Sequence, residues 1–328
     1  MTRLFLGIDG GGTKTQAVIV DEHGRFQSTG LGGPSNYDDV GVPATQASVD
    51  QAVTAARQAT HLTDAPFTAV FLGMAGVVSA TDRAIITQIA RNLNLAAPEA
   101  IGVDHDCRIA LAGGLSGRPG MVQIAGTGSS TFGINAAGAS WRAGGWGQLI
   151  SDEGSGYWLG VQALQAAVRA YDGRLPYTLL LDQVKEHLAI TDMNDIMHRL
   201  YSDGIARSEI AALSPLVIAT AQAGDHTACN LLQQGASLLA DCVVAVANKL
   251  GFADGTSELA LVGGMFKAGV VFERPFQEAI AAHLPHCQLI PAELPPVLGA
   301  AVLALQSSGI TVNQTISQQL HQAAKQIA

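Results

Sequence analysis

Short apolar runs ending in glycine recur along this chain, and the residues after each run alternate either like a strand or like a helix. Leu4-Phe-Leu-Gly-Ile8 runs into Asp9-Gly10-Gly11-Gly12-Thr13-Lys14. Residues 15–21 then alternate, Glu22-His-Gly-Arg25 turns, and residues 26–28 begin another strand, so the three glycines are predicted to sit in a β-hairpin loop. Residues 44–60 carry Val49, Ala52, Val53 and Ala56 at helical spacing, and residues 67–74 form a buried-strand run. A helix over 81–94 and a strand over 100–104 continue this α/β alternation. Pro119 and its surrounding glycines mark a domain boundary. Just beyond it, Met121-Val-Gln-Ile-Ala125 runs into Gly126-Thr127-Gly128 and a second strand, repeating the opening pattern. Helical patterns then cover residues 157–171, 175–189, 194–201, 208–223 and 225–250. A strand over 258–262 ends on Gly263-Gly264 before a helical turn. The chain closes with a helix from 295, where Gly299 and Ala300 permit close contact, and a last helix over 311–327.

Composition narrows the class. At 328 residues the chain is long enough for two domains, and 48% hydrophobic against 14% charged residues with 37 glycines points to compact α/β packing rather than disorder. A net charge of −9 without any Lys/Arg run gives no nucleic-acid footprint and disfavours anionic membranes, which leaves small-molecule chemistry. The four cysteines, Cys107, Cys229, Cys242 and Cys287, are scattered, with no pair at zinc or iron–sulfur spacing, and fit reduced thiols in the cytoplasm. The N-terminal apolar run is too short for a secretory signal, and Gln233, Gln234, Asp241 and Lys249 interrupt the long helix over 225–250, arguing against a membrane span.

The first glycine run is neither a Walker A loop, since Thr13 precedes Lys14, nor a dinucleotide fingerprint, since a strand follows it. It reads as a phosphate cradle in which backbone N–H groups approach an anion unobstructed by Cβ atoms, with Asp9 holding the accompanying Mg²⁺. Asp104-His105-Asp106-Cys107-Arg108 stands where a strand ends and a helix begins. There Asp106 is the candidate general base for a hydroxyl attacking the γ-phosphoryl group of ATP; the alternative is that Asp104 or Asp106 caps the helix. Asn36, in the Gly- and Pro-rich loop 30–37, either meets a hydroxyl or acetamido group or stabilises its own turn. The segment 144–158 combines five glycines with Trp146, Asp152 and Glu153, suiting a sugar-binding loop; Ser151 or Asp152 alternatively caps the helix that follows.

Strand–DGGGT–strand, a strand-end Asp, strand–AGTGS–strand and a late strand–VGG, in this order, resemble the acetate and sugar kinase, heat-shock 70 and actin superfamily. Within it the chain resembles the BadF/BadG/BcrA/BcrD ATPase family from Gly7 to about Ala304, and GGWGQLISDEGSGYWLG is similar to that family's N-acetylglucosamine kinases. The resemblance implies an α/β fold of two ribonuclease-H-like, actin-like ATPase domains around a central cleft. The first would span 1–117, with a C-terminal helix at about 308–328 packing back on it, and the second 118–307 with helical insertions. It implies transfer of phosphate from Mg·ATP to the 6-hydroxyl of N-acetylglucosamine. Other hexoses or amino sugars (glucosamine, glucose, N-acetylmannosamine, N-acetylmuramic acid) are alternatives, as is a non-kinase ATPase or activase, although the activase role needs a cluster-ligating cysteine pair that this spacing lacks. Carried over position by position, Asp106 matches the catalytic base; Asn36, Asp106, Gly145, Trp146 and Asp152 match sugar contacts; Gly11, Gly12, Thr13, Lys14, Gly126, Thr127 and Gly128 match the phosphate loops. Ala221, Gly263, Gly264 and Ala268 match nucleoside contacts, and Asp9 the metal ligand. Gln148 departs from a His, and Ala268 from a Ser, in that pattern. The implied partners are a small-molecule sugar and a second copy of the chain, as a homodimer, with no nucleic acid or membrane.

Overall fold

The structure is a computed structural model describing residues 2–60, 66–253 and 255–327. The chain divides into two compact units, Met1–Gly120 with Ile290–Ala328, and Met121–Leu289. Among the described residues the strands form two five-stranded sheets, one per unit.

The first unit begins with β1 (Leu4–Gly10), β2 (Thr15–Asp21) and β3 (Phe26–Gly32), then a single turn α1 (Tyr37–Val40), α2 (Val42–Ala59), β4 (Ala69–Met74), α3 (Ala80–Asn92), β5 (Ile101–His105) and α4 (Asp106–Gly114). The sheet order is β3-β2-β1-β4-β5. The hairpins β1–β2 and β2–β3 are antiparallel, and β4 and β5 add in parallel. Because both faces are covered, the central strands read as continuous apolar runs rather than alternations. Leu6, Ile8 and Ile19 pack with Val49 and Val53 of α2, while Phe5, Val18 and Val20 pack on the opposite face. A reciprocal capping box starts α3, Ser79 accepting the Asp82 N–H while the Asp82 carboxylate accepts that of Ser79.

The second unit repeats the sheet. β6 (Gly120–Ala125), β7 (Ser129–Ile134) and β8 (Ser140–Gly144) are followed by α5 (Gly156–Tyr171), α6 (Leu180–His187), α7 (Arg207–Ala211), α8 (Ser214–Gln222), α9 (His226–Leu250), β9 (Ser257–Val262), α10 (Val270–His283) and β10 (Cys287–Pro291). Its order, β10-β9-β6-β7-β8, is the same succession read from the other edge. The helical stretch expected over 208–223 is broken between α7 and α8, with Pro215 in the first turn of α8. The stretch over 194–201 forms a 3₁₀ turn and a π turn instead of an α-helix. By length and composition α9 suffices to cross a membrane, yet its Leu232, Leu239, Val243 and Val246 are buried in the core of this unit.

The chain then returns to the first unit with α11 (Pro296–Ser307) and α12 (Gln314–Ile327). The second domain was expected to run to residue 307, but the second unit ends at Leu289 and α11 lies in the first. The reason is steric as well as apolar. Residues Val297 to Leu305 are all buried, and a Cβ added to Gly7 of β1 would lie 2.5 Å from the Ala301 nitrogen. One added to Gly299 would lie 2.0 Å from the Ile109 carbonyl oxygen of α4, so α11 is wedged backbone-close between strand and helix.

Candidate functional site

In the first unit the β1–β2 turn is closed by the Gly11 N–H donating to the Lys14 carbonyl at 3.0 Å. The N–H groups of Gly12 and Thr13 have no acceptor among the described residues, and Gly12, Thr13 and Lys14 are exposed. Gly10 is glycine for packing, since a Cβ there would lie 2.4 Å from the Met74 sulfur. Gly11 and Gly12 are not so constrained: a Cβ would meet nothing closer than 3.6 and 3.8 Å, and neither residue is left-handed. What their missing side chains leave is access to free N–H donors, the property an oxyanion cradle requires.

Asp9, the penultimate residue of β1, stands in register with Gly73 of β4 and through it with Asp104 of β5, so Asp106 begins α4 just beyond the same row. Burial, and then the charge of Asp106, push the Asp9 carboxyl up to about 6, with Lys14 pulling the other way. Asp104 is engaged structurally, accepting from Arg83 at 2.8 Å and from the His105 N–H at 2.9 Å. Neither carboxylate caps α4, whose N-cap is His105 without a side-chain bond; Asp106 accepts only the Cys107 thiol, at 3.4 Å, among the hydrogen bonds resolved. His105, Asp106 and Cys107 present ligand atoms within 4.8 Å of one another, a cluster that sequence spacing did not suggest. Asn36 precedes α1. Its amide donates to Asp39 at 2.6 Å, and its buried Oδ1 lies against Gly76 with no donor among the described residues. The Ser35 N–H, donating to the Gly11 carbonyl at 2.9 Å, ties this loop to the glycine turn.

The second unit builds a comparable turn between β6 and β7. The Gly126 N–H donates to the Gly128 carbonyl at 2.9 Å, while the N–H groups of Thr127 and Gly128 have no acceptor among the described residues. The first N–H groups of α5, on Gly156 and Tyr157, donate to the carbonyls of Gly126 and Thr127 at 2.8 and 3.2 Å, which fixes the turn's orientation. A Cβ on Gly126 or Gly264 would meet nothing within 4 Å. Both glycines open onto a cavity of about 350 Å³ lined also by Thr127, Ser214, Ile218 and Met265. Gly263, Ala221 and Ala268 are not in that lining. Gly263 is left-handed against the Ala125 carbonyl, and the two alanines are packed at 5% and 6% exposure, with Gln222 donating to the Ala268 carbonyl at 3.4 Å.

The loop from Gly144 to Ser155 turns on left-handed Gly144, Gly145, Gly147 and Gly154. Trp146 is 65% exposed with the Arg142 guanidinium 5.0 Å from its ring centre, and Gly145 lies against Ser130. The cap of α5 is Ser155, which accepts the Trp158 N–H at 3.1 Å, so Ser151 and Asp152 are released from that duty. Asp152 is buried in a left-handed conformation, φ 64°, rare for a residue other than glycine. Arg207 donates to its Oδ2 at 2.5 Å and the Ser129 N–H to its Oδ1 at 3.5 Å. Burial pushes this carboxyl up; Arg207 and the Ser129 N–H pull it back, and Glu153 adds to the rise. Sequence reasoning missed Arg207, an isolated cation just before the helical stretch expected over 208–223, and missed Ser214, which carries no motif, and Met265, an apolar residue directly after the Gly263-Gly264 pair.

The model of the BadF/BadG/BcrA/BcrD ATPase family matches residues 6–304. The N-acetyl-D-glucosamine kinase of Dictyostelium discoideum is 31% identical over 93% of this chain and 98% of its own length. The N-acetylmuramic acid/N-acetylglucosamine kinase of Clostridium acetobutylicum is 30% identical over 92% and 98%. A solved structure from Chromobacterium violaceum, provisionally assigned as an N-acetylglucosamine kinase, superposes with a TM-score of 0.71 at 28% identity, covering 93% of this chain and 99% of that one. The α/β fold with two ribonuclease-H-like sheets is thus that of the actin-like ATPase sugar kinases.

Proposed function

The chain belongs to the BadF/BadG/BcrA/BcrD ATPase family, and on that premise we propose that it is an ATP-dependent kinase for the 6-hydroxyl of N-acetylglucosamine. The observation that carries this reading is the pair of glycine hairpins, one per unit, each with N–H donors that have no acceptor among the described residues and each with glycines, Gly11 and Gly12 in one and Gly126 in the other, at which a side chain would meet no steric clash. Such donors stabilise charge on phosphate oxygens without reorganisation. In the proposed step the sugar O6 attacks the γ-phosphorus, the bond from that phosphorus to the β–γ bridging oxygen breaks, and Asp106 accepts the hydroxyl proton, leaving ADP and the sugar 6-phosphate. Sugar contacts are assigned to Asn36 in the first unit and to Gly145, Trp146 and Asp152 in the second. Gly11, Gly12, Thr13, Lys14 and the turn from Gly126 to Gly128 are assigned to the phosphates, and Gly264 to the nucleoside.

Asp9 suits Mg²⁺. A carboxyl held near 6 by burial and by a second carboxylate is one whose charged form a divalent cation would favour. The ion, when bound, would neutralise charge on the nucleotide phosphates. Four cysteines, none of them in a disulfide among the described residues, and a need for ATP support a cytoplasmic setting, and the family likeness supports a homodimer, which light scattering tests. A coupled ADP-release assay over N-acetylglucosamine, glucosamine, glucose, N-acetylmannosamine and N-acetylmuramic acid tests the function; the first should give the highest kcat/KM. No sugar-dependent ADP release with any of the five would refute the kinase reading, and a preference for another sugar would correct the substrate.

A further inference from the structure

Arg207 lies outside every motif of the chain, yet the fold takes pains to place it. α7 begins on this residue and carries it to the second glycine turn because α5 lets the helix approach: a Cβ on Gly160 would lie 2.0 Å from the Ile210 carbonyl oxygen. The segment is braced from behind. Arg199 pairs with Glu209 and donates to the Gly204 carbonyl at 3.2 Å, and a ring nitrogen of His187 is 3.2 Å from the Glu209 carbonyl. The guanidinium then reaches three groups. It donates to Asp152 Oδ2 at 2.5 Å, lies 5.8 Å from the ring centre of Tyr157 at the start of α5, and sits 2.7 Å from where a Cβ on Gly128 would stand. A Cβ on Gly128 would thus crowd both members of the pair, since it would also lie 3.0 Å from Asp152 Oδ2.

The pairing is asymmetric. Asp152 is 5% exposed at its side chain and Arg207 42%, so the carboxylate is the desolvated partner and the guanidinium its main compensation. Arg207 occupies Oδ2 strongly, whereas Oδ1 meets only the Ser129 N–H at 3.5 Å. One carboxylate oxygen is thus fixed by the protein and the other remains able to accept a ligand hydroxyl. We propose that Arg207 is a positioning residue that holds Asp152 charged and oriented beside the Gly126–Gly128 turn, so that sugar binding depends on a side chain that does not touch the sugar. Tyr157 and the braced 199–209 segment fix Arg207 in turn. This inference rests on the kinase reading for its kinetic consequence and on the structure alone for the ion pair.

The test uses Arg207→Met, which keeps the stem and removes the charge, Arg207→Lys, and Asp152→Asn, alone and with Arg207→Met. With N-acetylglucosamine as substrate, Arg207→Met should raise the sugar KM about tenfold or more, consistent with losing a charge-assisted bond, and change the ATP KM less than about twofold. Arg207→Lys should recover part of the loss, since an ammonium supplies the charge without the fork. An unchanged sugar KM in Arg207→Met, or equal rises in both KM values with no recovery in Arg207→Lys, overturns the inference. A second arm is independent of catalysis. Arg207→Met should lower the melting temperature at neutral pH by leaving the buried carboxylate unpaired, and adding Asp152→Asn should restore most of it. Losses that simply add in the double variant overturn the ion-pair role, whether or not the wild type phosphorylates any sugar. Wild-type inactivity with a non-additive stability cycle would sink the kinase reading and leave the positioning of Asp152 standing.

Discussion

Replacing Asp9 with Asn should make the metal-free protein more stable at neutral pH while abolishing its activity. In the folded chain the Asp9 carboxyl is pushed from 3.8 up to about 6, first by burial and then by Asp106. Between about pH 4 and 6 the folded chain therefore binds a proton that the unfolded chain has lost. The stabilisation this group contributes is fully present below about pH 4, falls as pH rises, and is gone above about 6. At about 1.4 kcal/mol per pH unit, the difference between 3.8 and about 6 means that ionised Asp9 costs the fold about 3 kcal/mol. Asn keeps the shape of the neutral acid and cannot ionise, so the variant should exceed the wild type by up to that amount at pH 7.5. For a unit of this size 1 kcal/mol moves the melting temperature by about 2–4 °C, so the gap should be several degrees. Thermal melts of both proteins in EDTA, at pH 4.5 and 7.5, give the readout: the advantage of the variant should be small at the lower pH and open at the higher. Any bond that Asn fails to reproduce acts equally at both, so the change of the gap with pH carries the result. A gap that stays constant, or a variant less stable than the wild type at pH 7.5, would refute the reasoning. Mg²⁺ with ADP should then raise the wild-type melt and leave the variant nearly unmoved.

Asp106→Asn should lower kcat by two or more orders of magnitude with the ATP KM nearly unchanged, measured by coupled ADP release; near-normal turnover would remove Asp106 from the chemistry. Gly126→Ala and Gly264→Ala, whose new Cβ atoms meet nothing within 4 Å, should leave the melting temperature unchanged and raise the ATP KM severalfold, whereas a drop in melting temperature with unchanged KM would make these glycines structural. Gly160→Ala should be the reverse, since its Cβ would lie 2.0 Å from a backbone carbonyl and overpacking costs about 1–3 kcal/mol. Trp146→Ala should raise the sugar KM and leave the ATP KM unchanged in the same assay, because an exposed indole does no work in the core; equal effects on both would argue against a sugar-stacking role.

What the sequence revealed and what it hid divide along physical lines. The central strands were legible because burial on both faces makes them nearly continuous apolar runs, as in Leu4–Ile8 and, with Gln123 as its one polar residue, Met121–Ala125. The edge strands β8 and β10 were not: Ser140-Trp-Arg-Ala-Gly and Cys287-Gln-Leu-Ile-Pro are short and largely half-exposed, and neither carries a clean period of two. Placing α11 failed for another reason. Periodicity marks a helix but not which sheet receives it, and the deciding fact is that Gly7 and Gly299, nearly three hundred residues apart, lack the same obstructing atom. At the candidate site the glycine turns and strand-end carboxylates were visible because their composition is unusual. Arg207 was not, since its significance lies in a contact with Asp152 across 55 residues of chain.

The two hairpins also show why a repeated topology need not mean a repeated role. Aligned on their glycines, Ile8-Asp9-Gly10-Gly11-Gly12 corresponds to Ile124-Ala125-Gly126-Thr127-Gly128, so Ala125 stands where the first unit has Asp9. Ala125 is fully buried and offers nothing to a cation, whereas Asp9 sits in the field of a second carboxylate. The second unit instead supplies a cation of its own, Arg207, against its glycine turn, with Asp152 neutralising part of its charge. Each unit thus presents N–H donors without an acceptor among the described residues, backed by a carboxylate pair in one and a guanidinium–carboxylate pair in the other. Exchanging these devices would not be neutral. An apolar residue at position 9 would leave Asp106 as the sole carboxylate of that pair, whereas Ala125, at the aligned position of the second hairpin, is packed in the core and the charge there comes from Arg207 and Asp152.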